Sequence, residues 1–408
     1  MIIEIIIAII LGCIAGTITG LIPGIHINLV ALLIVSSSSF LLEFTSPLTL
    51  GVFIISMSIL HTFMDSCPSI FLGAPEESTV LAVLPGHKLL LKGRGYEAVK
   101  LTVIGSLFGL IMTIALAVVL ITGVGKIYPF INKYILYILI ASSIFLIIKD
   151  KKSRIWALII FLMAGCLGLG SLNITSIRQP LFPLLSGLFG TSGLFLSLKD
   201  KIKIPKQTLK SDKINKKEIS KSLSAGFIAS TLSGFLPGLG AAQAAIIASS
   251  VFKKNTTRGF LILVGSINTI IMVLSFIALF VIDKARNGAI VAVSKIIPNF
   301  TQTDLILFLV VSLTVAGIAT ILTLNVAKIF SKFMSKINYS RLCLGIISLI
   351  TLLVLIISGP LGLLVLIIST CVGIIPPLKG VGRNHLMGCL ILPVILYFSP
   401  INFLNIFF

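Results

Sequence analysis

Long apolar stretches separated by short basic ones set the pattern of this chain, and the length that matters is the width of a bilayer. A helix needs about 20 apolar residues to cross the hydrocarbon core, where no water can satisfy free backbone groups. Ten stretches fit that scale: 48–64, 98–122, 134–148, 155–172, 181–198, 259–282, 304–325, 342–358, 361–376 and 385–407. Two more apolar regions, 2–42 and 222–252, are interrupted by Pro-Gly, in Gly20-Leu21-Ile22-Pro23-Gly24 and Gly234-Phe235-Leu236-Pro237-Gly238. Each predicts a helical hairpin whose arms meet inside the membrane. Regions 65–87 and 283–298 open on charged or Pro-rich residues and continue as a short apolar helix, which predicts re-entrant segments.

The pattern repeats. Residues 16–33 match 230–247 at an offset of 214, with Gly20/Gly234, Pro23/Pro237 and Gly24/Gly238 in register. After each hairpin come one crossing, one re-entrant region and four more crossings. The loop after the first hairpin, 43–47, carries no basic residue, whereas the loop after the second, 253–258, carries three, so the two copies point in opposite directions. The expected fold is all-α: a polytopic membrane protein of two inverted-topology repeats, 1–198 and 222–408, joined by a basic linker, 199–221. Each repeat holds a Pro-Gly-broken helical hairpin, a re-entrant region and five transmembrane helices. Inverted repeats with broken helices are the construction of secondary transporters, because two opposed copies of one fold can exchange conformations and open a central site alternately.

The basic residues test this layout. Of 32 Lys and Arg, 26 fall in the alternate loops 88–100, 149–154, 199–221, 253–258, 328–341 and 379–383. The opposite loops hold only Lys126, Lys133 and Arg178, and the last three, Lys284, Arg286 and Lys295, lie in the second re-entrant region. The positive-inside rule then puts the first set of loops, linker included, in the cytoplasm and the chain in the cytoplasmic membrane as a multi-pass protein. The first apolar segment carries Glu4 and lacks the basic flank of a signal peptide, so it reads as a retained membrane helix.

Composition narrows the classes further. The chain is 57% hydrophobic and 11% charged, with a mean hydropathy of +1.17, which excludes a soluble enzyme, a disordered chain and a collagen-like one. A net charge of +20 would suggest nucleic acid, but these charges lie between apolar segments, as topology signals do, and offer no aromatic-interleaved basic surface for bases to stack on, so no nucleic-acid partner is expected. Six scattered cysteines form no CxxC and no zinc spacing, and neither G-x-S-x-G nor a Ser/His/Asp set is present. The expectation is a protein that is not an enzyme, with no metal site and no cofactor other than a bound Na+.

Pro-Gly in mid-membrane frees backbone groups that must find partners, and a helix starting after the break turns its positive end toward the site, which favours an anion. The bland alternative is a kink satisfied by neighbouring helices. Candidate substrate-binding residues follow from the breaks and the re-entrant regions: Gly20, Pro23, Gly24, His26 and Asn28; Gly73, Pro75, Ser78 and Thr79; Gly234, Pro237, Gly238, Gly240 and Gln243; Arg286 and Asn287. Arg286 suits a carboxylate or phosphate through two parallel hydrogen bonds, or pairs locally with Asp283. Carboxylates at membrane depth are costly and are candidates for ion coupling, here Asp65, Glu76, Glu77 and Asp283, with Asp65 the deepest by its apolar flanks.

The paired G-x-x-P-G breaks and the stretch Phe71–Ala98, FLGAPEESTVLAVLPGHKLLLKGRGYEA, resemble the membrane subunit of the tripartite tricarboxylate transporters, the TctA family, and especially its archaeal branch, domain of unknown function 112. Gly73, Pro75, Thr79, Pro85, Gly93, Gly95 and Ala98 keep much of the family's motif, while Glu76 stands where Gly is common and Ala82-Val83-Leu84-Pro85 replaces an Asp-Gly-x-Pro. The resemblance implies uptake of carboxylates by symport with a cation, together with a periplasmic binding protein and a small membrane subunit. A small anionic solute, a coupling cation, Na+ or H+, and the lipid bilayer are the expected partners, and a homodimer is compatible with the sequence. The competing reading is a translocase for an anionic or polyisoprenyl-phosphate lipid, whose head group the same broken helices would hold.

Overall fold

The computed structural model describes residues 2–22, 27–73, 83–149, 153–199, 205–212, 214–235, 241, 244–245, 248, 256–285, 287–334 and 339–399. These residues form helices and connecting turns, with no strand among them. In chain order the helices are α1 Ile2–Leu21, α2 Ile27–Ser36, α3 Ser38–Leu41, α4 Pro47–Met64, α5 Ser66–Phe71, α6 Val83–Leu90, α7 Gly95–Ala115, α8 Ala117–Lys133, α9 Ile135–Lys149, α10 Arg154–Asn173, α11 Leu181–Leu185 and α12 Ser192–Lys199. The second half continues with α13 Lys216–Phe235, α14 Thr257–Ile282, α15 Gly288–Ile296, α16 Gln302–Met334, α17 Tyr339–Leu378 and α18 Gly388–Phe398. A π-helical turn, Ser186–Thr191, joins α11 to α12. Seven of the described helical stretches are long and apolar enough to span a bilayer, and three shorter apolar ones accompany them, as expected of a multi-pass membrane protein.

Most boundaries fall where the apolar pattern puts them, and three do not. The loop expected at 126–133 is helical, because α7 turns at Leu116 and α8 then runs through to Lys133. The last residues of the expected linker, from Lys216, already belong to α13. The crossing expected at 304–325 begins near the start of a 33-residue helix, Gln302–Met334, that continues well past it to Met334. In the opposite sense, the two crossings expected at 342–358 and 361–376 are the two limbs of α17, which bends at Gly359, whose φ of 74° leaves the helical region just before Pro360.

Inside lipid, apolar burial gives little drive to helix association, so close packing through small residues does that work. Gly12, Gly16 and Gly20 form a stripe along α1 that lies on Ser56, Met57, Leu60 and Met64 of α4. The second half repeats the arrangement, with Gly226 and Gly234 of α13 on Ser266 and Leu274 of α14. The partners are separated by 44 residues in both first-half contacts (56 − 12, 64 − 20) and by 40 in both second-half contacts (266 − 226, 274 − 234). The helices α1 and α13 share one offset at both ends (216 − 2, 235 − 21). Even the caps correspond: Ser46 accepts from Thr49 N at the start of α4, and Thr256 accepts from Gly259 N at the start of α14.

Helices from the two sequence halves also interlock. Helix α7 lies along α14, where a Cβ on Gly105 would collide with Ile262 O and one on Gly265 with Thr102 O. Ser106 Oγ donates to Gly265 O at 3.1 Å and Thr269 Oγ1 to Ser106 O at 2.9 Å. Helix α16 packs on α4, and α2 packs on α15. One large core therefore draws on α1, α2, α4–α8 and α13–α16. Separate cores are built from α9–α12, α17 and α18. Each packed unit takes helices from both sequence halves.

Candidate functional site

Of the two charged candidates among the described residues, Asp65 is buried and Asp283 is exposed. Asp65 caps the C-terminus of α4, its own N–H bonding His61 O, and α5 begins at the next residue. Pro68 then falls in the first turn of α5, where a missing N–H costs nothing. Ser69 Oγ donates to Asp65 O at 2.8 Å and steadies the junction. The Asp65 side chain is 1% exposed, and its Oδ2 accepts a hydrogen bond from Asn268 Nδ2 of α14 at 3.3 Å. A carboxylate of the first half is thus held by an amide of the second.

One turn earlier on α4, buried His61 places Nδ1 3.0 Å from Thr19 Oγ1 of α1. Thr19 Oγ1 also lies 3.3 Å from Gly16 O, to which it can donate. Gly20 follows, and a Cβ there would press on Met64, the residue before Asp65. The end of α1, just ahead of the first Pro-Gly, is therefore packed directly against the turn that carries Asp65. From α16, Thr323 O lies 4.0 Å from Cys67 Sγ, while the Thr323 hydroxyl is buried without a hydrogen-bond partner among the described residues. Ser230 and Ser233, near the end of α13 and just ahead of the second break, are buried in the same condition.

The remaining candidates divide in two. Gly73 is described, with φ of 67°, a left-handed conformation that suits glycine and turns the chain out of α5. Gly234 lies against Leu274. Asp283 ends α14 in the left-handed region and is exposed beside Lys284. Asn287 caps α15 by accepting from Ile290 N at 2.9 Å, and its amide reaches Ser275 Oγ and Met272 Sδ, both at 3.3 Å. Asn28 belongs to α2, the helix that packs on α15, so the backbone bearing Asn28 and the helix capped by Asn287 are neighbours. Pro23, Gly24, His26, Pro75, Glu76, Glu77, Ser78, Thr79, Pro237, Gly238, Gly240, Gln243 and Arg286, and the side chain of Asn28, lie outside the described residues.

Two groups escaped the sequence reading. Asn268 was visible as an amide inside an apolar span, a position where polar side chains join helices, but its partner 203 residues away was not. His61 likewise gave no sign of Thr19. Among the described residues, no three His, Cys, Asp or Glu side chains gather as a metal site would require.

Comparison with known proteins places this architecture. The family described as the tripartite tricarboxylate transporter TctA family matches residues 6–388. The uncharacterized protein MJ1079 of Methanocaldococcus jannaschii is 32% identical over 355 residues, 85% of this chain and 88% of that protein. No solved structure matches. A family match over nearly the whole length, on an all-α multi-pass fold, identifies the chain as a transporter component and not an enzyme: it belongs to the tripartite tricarboxylate transporter TctA family.

Proposed function

We propose that the chain is the solute-conducting subunit of a secondary transporter that moves a small carboxylate-like anion across the cytoplasmic membrane, coupled to Na+ or H+. The observation that carries the proposal is the repeated helix pair: α1 on α4 and α13 on α14, each first helix ending at a Pro-Gly, with glycine contacts and caps at constant spacings. The opposite loop charges after the two hairpins favour inverted topology for the halves, 1–198 and 222–408, with the basic loops and linker inside the cell. In this reading the ends of the broken helices, with Pro23, Gly24, Pro237 and Gly238, hold the anion through freed backbone N–H groups. Asp65, with Glu76 or Glu77, serves the cation. Its burial and its bond to Asn268 support that role, because a carboxylate is costly at membrane depth unless a cation or proton offsets its charge. A binding protein and a small membrane subunit, which the family implies, would deliver the solute.

Thermal unfolding of the purified protein tests the reading. Citrate and other di- and tricarboxylates are added singly, in sodium and in choline buffers and at two pH values. Stabilisation by a carboxylate that requires sodium or protons is the expected result. Stabilisation by phospholipid head groups alone, or equal stabilisation whatever the cation, would overturn it.

A further inference from the structure

The segment that joins the halves is more than a solvated tether. Residues 205–212 run without helix or strand, yet they are fastened to the end of α6, the turn after it and the start of α7. Thr208 N donates to Gly93 O at 2.7 Å, Gln207 Nε2 to Leu90 O at 3.0 Å, Gly95 N to Gln207 Oε1 at 2.9 Å, and Lys100 Nζ to Ser211 Oγ at 2.7 Å. The surface beneath is shaped for them. Gly93 holds φ of 76°, and a Cβ there would meet Lys206 O at 2.7 Å, while one on Gly95 would meet Gln207 Oε1 at 3.0 Å. At its end the segment delivers Asp212, whose Oδ2 accepts from Arg94 Nη2 at 2.6 Å and Arg258 Nη2 at 2.5 Å.

Those two arginines come from different halves, Arg94 at the start of α7 and Arg258 at the start of α14. Beneath them lies Glu97, fully buried, which takes Arg94 Nε at 2.6 Å on one oxygen and faces Arg258 Nε at 2.9 Å on the other. Two guanidinium groups and two carboxylates thus alternate with no net charge, and the buried carboxylate needs both arginines to offset its lost hydration. Directly beyond, α7 and α14 interlock at Gly105 and Gly265.

We propose that residues 205–212 form a strap that fastens the linker-side ends of α7 and α14 to each other, so that this pair from opposite halves behaves as one fixed element. Asp212 is the fastening residue, Glu97 the buried counter-charge, and the strap joins the two helices where no helix-to-helix glycine contact does so. The inference does not depend on which solute or ion the protein carries.

Hydrogen exchange on the full-length protein in lipid nanodiscs tests it. In the wild type the Thr208 and Gly95 amides should exchange at least about a hundredfold more slowly than unstructured peptide, in step with the start of α14. Asp212→Asn should speed exchange about tenfold both in 205–212 and at 257–260, a segment distant in sequence, while Asp212→Glu should restore protection. Wild-type exchange in 205–212 as fast as free peptide would overturn the proposal. So would an Asp212→Asn effect confined to the strap itself.

Discussion

The interlock of α7 with α14 can be tested at one atom. Alanine at Gly105 would put its methyl carbon against Ile262 O, with Ile262 C and Ser266 N both at 2.9 Å. All three are backbone atoms on a helix, so no rotamer change relieves the clash and the helices must separate. Overpacking of this kind costs about 1–3 kcal/mol. Separation also stretches the bonds from Ser106 Oγ to Gly265 O and from Thr269 Oγ1 to Ser106 O, each worth about 0.6 kcal/mol in a membrane protein. Less the helix-propensity gain of up to about 1 kcal/mol that any such Gly→Ala change brings, Gly105→Ala should therefore cost about 1–3 kcal/mol, a factor of about 5 to 150 in the folded-to-unfolded ratio. Gly317→Ala in α16 is the matched control, because nothing lies within 4 Å of its added carbon, and it should gain up to about 1 kcal/mol from helix propensity alone. Reversible unfolding in mixed micelles, followed by helical circular dichroism, measures both. Equal stability of the two variants would refute the backbone-to-backbone approach of α7 and α14.

Asn268→Leu should destabilise by about 1–3 kcal/mol by removing a donor from buried Asp65, and adding Asp65→Asn should recover part of that loss; strict additivity in the cycle would show that the two side chains do not interact. Gly359→Ala should cost about 1–3 kcal/mol, since its added carbon meets nothing but the backbone must stay at φ of 74° and ψ of −173°, a region essentially confined to glycine; a gain in stability instead would mean that α17 is continuous through that residue. The hydrogen bonds from Arg258, then Arg94, hold the Asp212 pKa below its ordinary value, so its contribution is present above the unfolded pKa and lost as pH falls through the lower folded one. Exchange protection of the strap, corrected for intrinsic rates, should accordingly be flat from about pH 8 to about pH 5 and fall only in strong acid; loss of protection near neutrality would point to a different fastening group.

How far the sequence carries depends on whether a feature is local. The chain break at Gly359-Pro360 is local and could be read, as could the start of α14 after Thr256. The extension of α16 to Met334 was hidden because a hydropathy window ends where lysines begin, although Lys328 and Lys332 keep helical spacing beyond the apolar part. Lys126 and Lys133 misled in the same way, since charge alone does not end a helix. Asp65 was picked out by the cost of a carboxylate among apolar neighbours, but its pairing with Asn268 has no periodicity to betray it. The strap was the least legible feature, because residues 205–212 advertise only lysines and polar side chains, and their order comes from a glycine-lined seat more than a hundred residues earlier.

The distribution of close contacts also bears on what can move. Since lipid competes on equal terms for apolar side chains, the contacts that hold membrane helices in place are those where backbones approach through glycine. Such contacts join α1 to α4, α13 to α14 and α7 to α14 in one unit. In the other they join α10 to α18 through Gly168 and Gly388, and α17 to the π-helical turn through Gly187 and Gly373. Among the described residues none spans the two units, whose cores share only the flanking side chains of Leu72 and Leu342. Opening a path by parting α7 from α14 would break two backbone interlocks and an electrostatic set built around a buried glutamate. Sliding the unit of α9–α12, α17 and α18 past the other breaks neither, so that is the displacement the packing favours for any change in access to the broken helices.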